Sequence, residues 1–209
     1  MSYLLALLLL LGSPQNKAPA AGGVAGHYVL EGAQEEKSEL VLKPSGQFEY
    51  MLTHGAANYA ARGKWRVSGD AVMLDSKLAD GPPFKLAHSA DLRSPDVRVW
   101  ARTKAGWPFP GLVVVLTTAQ GELTAKTDRD GMAIFPRASE PKSVVVRLEA
   151  YEKDSGVITL NSSHDDFTFE VNTDVIMTVP FHGEALKRNG NTLELLYWDK
   201  DKPMVYRRQ

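Results

Sequence analysis

The sequence predicts an all-β chain, a small antiparallel barrel joined to a β-sandwich module. Three observations carry that reading. Apolar and polar residues alternate with period two in segment after segment. Turn residues separate those segments at regular short intervals. The third observation is that no stretch of the mature chain shows a long amphipathic helical pattern.

In chain order, "HYVLEG" opens as a short strand. "SELVLKPSGQFEYMLTHG" reads as a hairpin, with Leu40 and Leu42 on one face, a turn at Pro44-Ser45-Gly46, and Phe48, Tyr50 and Leu52 beyond. "ARGKWRVSGDAVMLDS" is a second hairpin about Ser68-Gly69-Asp70, with Trp65 read as barrel core. A break at Gly81 to Pro83 precedes the strand "FKLAHS". "VRVWART" alternates again, and "KAGWPFPG" is a turn because Pro108 and Pro110 do not suit a central strand. "LVVVLTT" is apolar on both faces and predicts a buried central strand. "ELTAKT" and "MAIF" are expected to form a hairpin about Asp130-Gly131. "SVVVRLEAY" and "GVITL" complete the set. "DFTFEV", "VIMTVPF", the Asn189-Gly190 hairpin "LKRNGNTLELLYW" and "PMVYRR" are read as strands that return to the style of the first hairpins. Trp107 and Trp198 fall at turn and strand ends, with nothing to single them out.

Composition bounds the function. The 209 residues are 44 % hydrophobic and 23 % charged, with a net formal charge of −1. That is globular composition without the basic footprint of a nucleic-acid binder. With no cysteine, thiolate metal sites and cysteine nucleophiles are excluded. "LLALLLLLG", Leu4 to Gly12, would span about 14 Å as a helix, half of a ~30 Å hydrocarbon core. It suits a signal-peptide core better than an anchor. Ala18-Pro19-Ala20 supplies small residues for cleavage, although "MSY" lacks a basic residue. The expectation is a signal peptide over 1–20, a mature chain from Ala21 with no further membrane-crossing segment, and a periplasmic or secreted location.

Two resemblances follow. Gly26-His27-Tyr28, Leu40-x-Leu42-x-Pro44-x-Gly46-x-Phe48, Gly63-x-Trp65, Gly69-Asp70-x-Val72-x-Leu74 and Met204-Val205-Tyr206-Arg207 resemble the small lipocalin-like, META-like barrels of exported bacterial proteins. Gly106-x-Pro108-x-Pro110-Gly111-Leu112-x-Val114-x-Leu116 followed by Thr127-Asp128-x-Asp130-Gly131-x-Ala133-x-Phe135 is similar to carboxypeptidase-regulatory-like and Cna-B-like sandwich modules. The second resemblance implies a spacer, adaptor or binding role without catalysis. The expected organisation is a barrel over 26–90 and 165–209 with a sandwich over 95–160 inserted. The alternative is two consecutive β-domains, 26–90 and 95–209. Insertion at an exposed loop is well tolerated because few contacts cross it.

Few residues have the type and spacing that chemistry needs. Placing Gly131 at position 6 of a calcium-binding loop puts Asp128 and Asp130 at positions 3 and 5. Lys126 then falls at position 1 and Arg137 at position 12, where carboxylates are needed. Asp128 and Asp130 are therefore rejected as metal ligands in favour of a turn, and no metal or cofactor is expected. "SSHDD", Ser162 to Asp166, sets Ser, His and Asp side by side, but a triad is a spatial arrangement and adjacent residues diverge. His182-Gly183-Glu184 reads as an exposed turn. The remaining constellation is "VRVWART", where Arg98, Trp100 and Arg102 share one strand face. They fit a cation–π ladder covered by packing, or a contact surface for a partner. The sequence thus points to an exported, non-enzymatic binding or interaction module of the cell envelope, with an unknown protein or a small apolar ligand as its partner. The alternative is an envelope enzyme, or an accessory subunit of one, with catalytic groups scattered over loops.

Overall fold

A computed structural model describes residues 23–32, 36–137 and 140–209; the proposed signal peptide lies outside them. The chain is all-β. Strands β1 (Gly26–Leu30), β2 (Glu36–Leu42), β3 (Gln47–His54), β4 (Ala57–Ser68) and β5 (Ala71–Ser76) form an antiparallel run. They join β15 (His182–Asn189), β16 (Thr192–Leu195) and β17 (Met204–Arg208) in a closed barrel of order β1-β17-β16-β15-β5-β4-β3-β2. Barrel strands therefore come from both ends of the chain, and Leu30↔Tyr206 is one pair of the β1–β17 seam. Alternation is strict: in β3, Phe48, Tyr50 and Leu52 point inward while Gln47, Glu49 and Met51 point out. The interior is filled by side chains, among them Leu40, Leu42, Phe48, Trp65, Leu74, Phe181, Leu186 and Tyr206.

The chain between β5 and β15 builds two further sheets. One has the order β10-β7-β14-β6, from β6 (Phe84–Ala90), β7 (Asp96–Thr103), β10 (Met132–Pro136) and β14 (Asp166–Val171). The other orders β12-β11-β8-β9, from β8 (Val113–Thr118), β9 (Gly121–Lys126), β11 (Pro141–Leu148) and β12 (Lys153–Asp154), with β13 (Ile158–Thr159) also on β11. Val97, Val99, Ala133, Phe167 and Phe169 from the first sheet and Val114, Leu116, Val144 and Val146 from the second share one core. Two sheets packed through a common core make a sandwich.

Several expectations need correction. β9 and β10 do not form a hairpin: β9 pairs with β8 and β10 with β7, so the chain crosses from one sheet to the other at the Asp130-Gly131 turn. "FKLAHS" and "DFTFEV" alternate like barrel strands, yet β6 and β14 pair with each other in the sandwich, and β14 runs parallel to β7. "VIMTVPF" is not a strand. Thr173–Met177 is a single helical stretch, α1, capped by the Asn172 side chain, which accepts from Val175 N at 3.3 Å. Asn172 followed by Asp174 is an N-terminal helix signal outweighed in the sequence by the β-branched run after it.

The two halves meet along β4. β4 pairs with β3 from Ala57 to Lys64 but with β5 only from Gly63 to Ser68. The open backbone of its first half is taken up piecemeal. Lys77 N donates to Arg62 O at 2.8 Å and Val179 N to Ala60 O at 2.9 Å, at the two points where chain leaves and re-enters the barrel. The Tyr151 hydroxyl accepts from Asn58 N at 2.9 Å and donates to Asn58 O at 3.2 Å. Tyr151 ends a 3-10 turn, Glu149–Tyr151, that follows β11. A pocket of about 420 Å³ at this junction is lined by Arg62, Lys77, Asp174 and Met177 among others.

Candidate functional site

β7 carries its core residues, Val97, Val99 and Ala101, on the inner face of the sandwich. Arg98, Trp100 and Arg102 consequently stand on the outer face, each half-buried. Cross-strand pairing sets their neighbours. On β10, Ile134 lies opposite Arg98 and Met132 opposite Trp100. On β14, Asp166 lies opposite Arg98, Thr168 opposite Trp100 and Glu170 opposite Arg102.

The geometry of Trp100 is specific. Its indole Nε1 donates to Asp166 Oδ2 at 2.9 Å, and the Arg102 guanidinium carbon sits 5.0 Å from the ring centroid. These contacts come from its own sheet, so the cation–π pair is built within the sandwich. Such a pair contributes about 0.5–1 kcal/mol at a partly exposed site. Beside it, Ile134 is 49 % exposed. Trp107 is 71 % exposed on the turn that follows β7, where Thr103 N donates to Trp107 O at 2.8 Å and Trp107 N to Thr103 Oγ1 at 3.2 Å.

The other candidates resolve into scaffolding. Asp128 Oδ1 accepts from Asp130 N at 2.9 Å and from Met132 N at 3.0 Å, so its carboxylate closes the turn. Gly131 has φ +75°, and a Cβ there would lie 2.5 Å from Ala101 O. The buried Thr127 hydroxyl accepts from Leu112 N and donates to Phe109 O, which joins the two sequence motifs of the sandwich. Among the described residues no group of three or more His, Asp or Glu is placed to hold a metal.

The Ser162-His164-Asp165 cluster does not assemble as a triad. His164 Nδ1 lies 2.8 Å from Ser89 Oγ instead. Asp165 is fully buried and accepts from Leu92 N at 2.8 Å, Ser94 N at 2.7 Å and Arg137 Nη1 at 2.6 Å. Burial pushes its carboxyl upward, but the two backbone N–H groups and Arg137 together hold it below the usual carboxylate range. Gly183 forms a bulge at the start of β15, its N–H donating to Asp75 Oδ1 at 2.8 Å, with His182 exposed beside it.

The sequence missed an aromatic cluster at one end of the barrel. Tyr151 packs edge-on to Tyr59 at 5.2 Å, Tyr59 lies 4.8 Å from Trp198, and Trp198 lies 5.2 Å from Tyr197. Tyr197 and Trp198 are neighbours in sequence, but Tyr59 and Tyr151 stand far from them, so no local spacing could have marked the cluster. The groove of about 490 Å³ on the outer barrel wall is chemically mixed, with Lys43, Arg62, Lys64 and Lys77 set among Glu49 and Asp75. Comparison with protein-family models, with curated proteins and with solved structures finds no match to this chain.

Proposed function

We propose that the protein is an exported, non-enzymatic interaction module of the cell envelope, and that it binds a protein partner through the outer face of the β10-β7-β14-β6 sheet. One observation carries this reading: Arg98, Trp100 and Arg102 stand together on that face, half-exposed, beside the exposed Ile134. Tryptophan and arginine next to an exposed aliphatic side chain are the residue types that dominate binding energy at interfaces. The apolar run Leu4 to Gly12 supports export, and the resemblance of the Gly106–Leu116 and Thr127–Phe135 motifs to carboxypeptidase-regulatory-like modules supports an adaptor role. The resemblance of the barrel motifs to lipocalin-like, META-like proteins agrees with an envelope setting. A small apolar ligand inside the barrel is less favoured, because side chains occupy the interior.

The test is affinity capture of the mature protein from its native envelope, with Arg98→Glu/Ile134→Glu run in parallel. Both positions lie on the outer sheet face; because Arg98→Glu sets a second carboxylate opposite Asp166, the variant's thermal unfolding is measured first and capture is compared below its transition. A co-purifying protein that the parent retains and the variant loses supports the surface. Identical capture by both proteins sinks it.

A further inference from the structure

Three of the hydroxyls inside the barrel lie close together among apolar side chains. Ser38, Tyr50 and Tyr206 are all buried. Hydroxyls in such a core are costly unless each is hydrogen-bonded. Here they form a chain. Ser38 Oγ donates to Met51 O at 2.6 Å, Tyr206 Oη lies 2.8 Å from Ser38 Oγ and 3.4 Å from Tyr50 Oη, and Trp198 Nε1 donates to Tyr50 Oη at 3.0 Å.

Counting protons fixes the two ends of the chain. The Met51 carbonyl can only accept, so Ser38 spends its proton there and accepts from Tyr206. That same Tyr206 proton also faces Tyr50 Oη, which is the acceptor in the longer 3.4 Å contact. At the other end Tyr50 Oη accepts from Trp198 Nε1, which can only donate.

Trp198 differs from the other members. They stand on β2, β3 and β17, whereas Trp198 lies on the connection between β16 and β17 and is 39 % exposed. Its ring packs against Tyr59 and Tyr197, and Tyr197 packs edge-on to Phe181 at 5.0 Å. Tyr59 is backed by Tyr151 of the sandwich, whose hydroxyl grips the Asn58 backbone.

We propose that Trp198 occupies, as an internal stand-in, a binding site at the barrel mouth for a small planar aromatic molecule bearing a ring N–H or O–H donor, and that Tyr151 latches the site shut. Such a ligand repeats what the indole does, with a flat apolar body against Tyr59 and Tyr197 and one donor on Tyr50 Oη. The filled barrel below limits it to one or two fused rings. Because Trp198 must leave first, apparent affinity is reduced by the fraction of molecules in which it is out. This site is independent of the sheet face proposed above.

Indole is the probe, with benzene as the ring without a donor, and the full chain is used throughout. Indole is expected to bind Trp198→Ala at least tenfold more tightly than the parent, and benzene at least tenfold more weakly than indole. In the parent, saturating indole is expected to shift the Trp198 Nε1–H resonance, and Tyr151→Ala to move the parent's affinity toward that of Trp198→Ala. A well-folded Trp198→Ala that shows no saturable indole binding overturns the site. Equal affinity for benzene overturns the donor requirement, and an unchanged affinity in Tyr151→Ala overturns the latch. Should Trp198→Ala fail to fold, the resonance in the parent decides: an unmoved Trp198 signal at saturation refutes the proposal.

Discussion

Gly63 stands where β5 passes so close to β4 that a Cβ would lie 2.0 Å from Asp75 O. The obstacle is backbone, which a rotamer change cannot relieve. Gly63→Ala is expected to destabilise the fold by about 1–3 kcal/mol, the usual range for overpacking, measured by denaturant unfolding. Asp165 gives a pH-dependent prediction. Its folded carboxyl is depressed, so its stabilising contribution is present above the unfolded carboxylate value of about 3.9 and is lost as pH falls through the lower folded value. Asp165→Asn should therefore melt well below the parent at neutral pH, and the gap should narrow as pH falls below about 4. A gap that is constant across that range would show that the carboxylate charge is immaterial.

The first half of β4 is an edge satisfied by parts of other elements in place of a strand. Tyr151→Phe keeps the ring against Tyr59 but removes both hydrogen bonds to Asn58. Amide hydrogen exchange at Asn58 is expected to accelerate, with protection at Val97 to Ala101 unchanged. The element scale is also where the sequence is most and least legible. Period two shows in Phe48-x-Tyr50-x-Leu52 and in Val97-x-Val99-x-Ala101, because one face of each strand meets a core and the other meets solvent. Alternation names no partner, however. It gives β14 the same signature as a barrel strand, and it cannot show β9 and β10 parting at Gly131 for different sheets. The outward placement of Arg98, Trp100 and Arg102 follows from parity alone. The Tyr50–Trp198 bond does not, since it joins positions 148 residues apart.

The described residues form two hydrophobic cores, and the residues of one are nested in sequence within those of the other. Nesting favours one order of assembly. All sandwich strands from β6 to β14 precede β15, so that core can close before the barrel has its last three strands. The barrel must close a loop of more than a hundred residues to pair β5 with β15, and contacts so distant in sequence form slowly. Pulse-labelled refolding should show amides of Val97–Ala101 and Phe167–Phe169 protected before those of Leu40–Leu42 and Phe48–Leu52; the reverse order would contradict it. The closed β1–β17 seam therefore has a history as well as a shape. Until β17 arrives, β1 to β5 are an open sheet with an unpaired edge at each end and an uncovered apolar face, the state in which strands most readily pair with the wrong chain. For a chain threaded across a membrane from its N-terminus, that exposure would last for as long as the remaining residues take to follow.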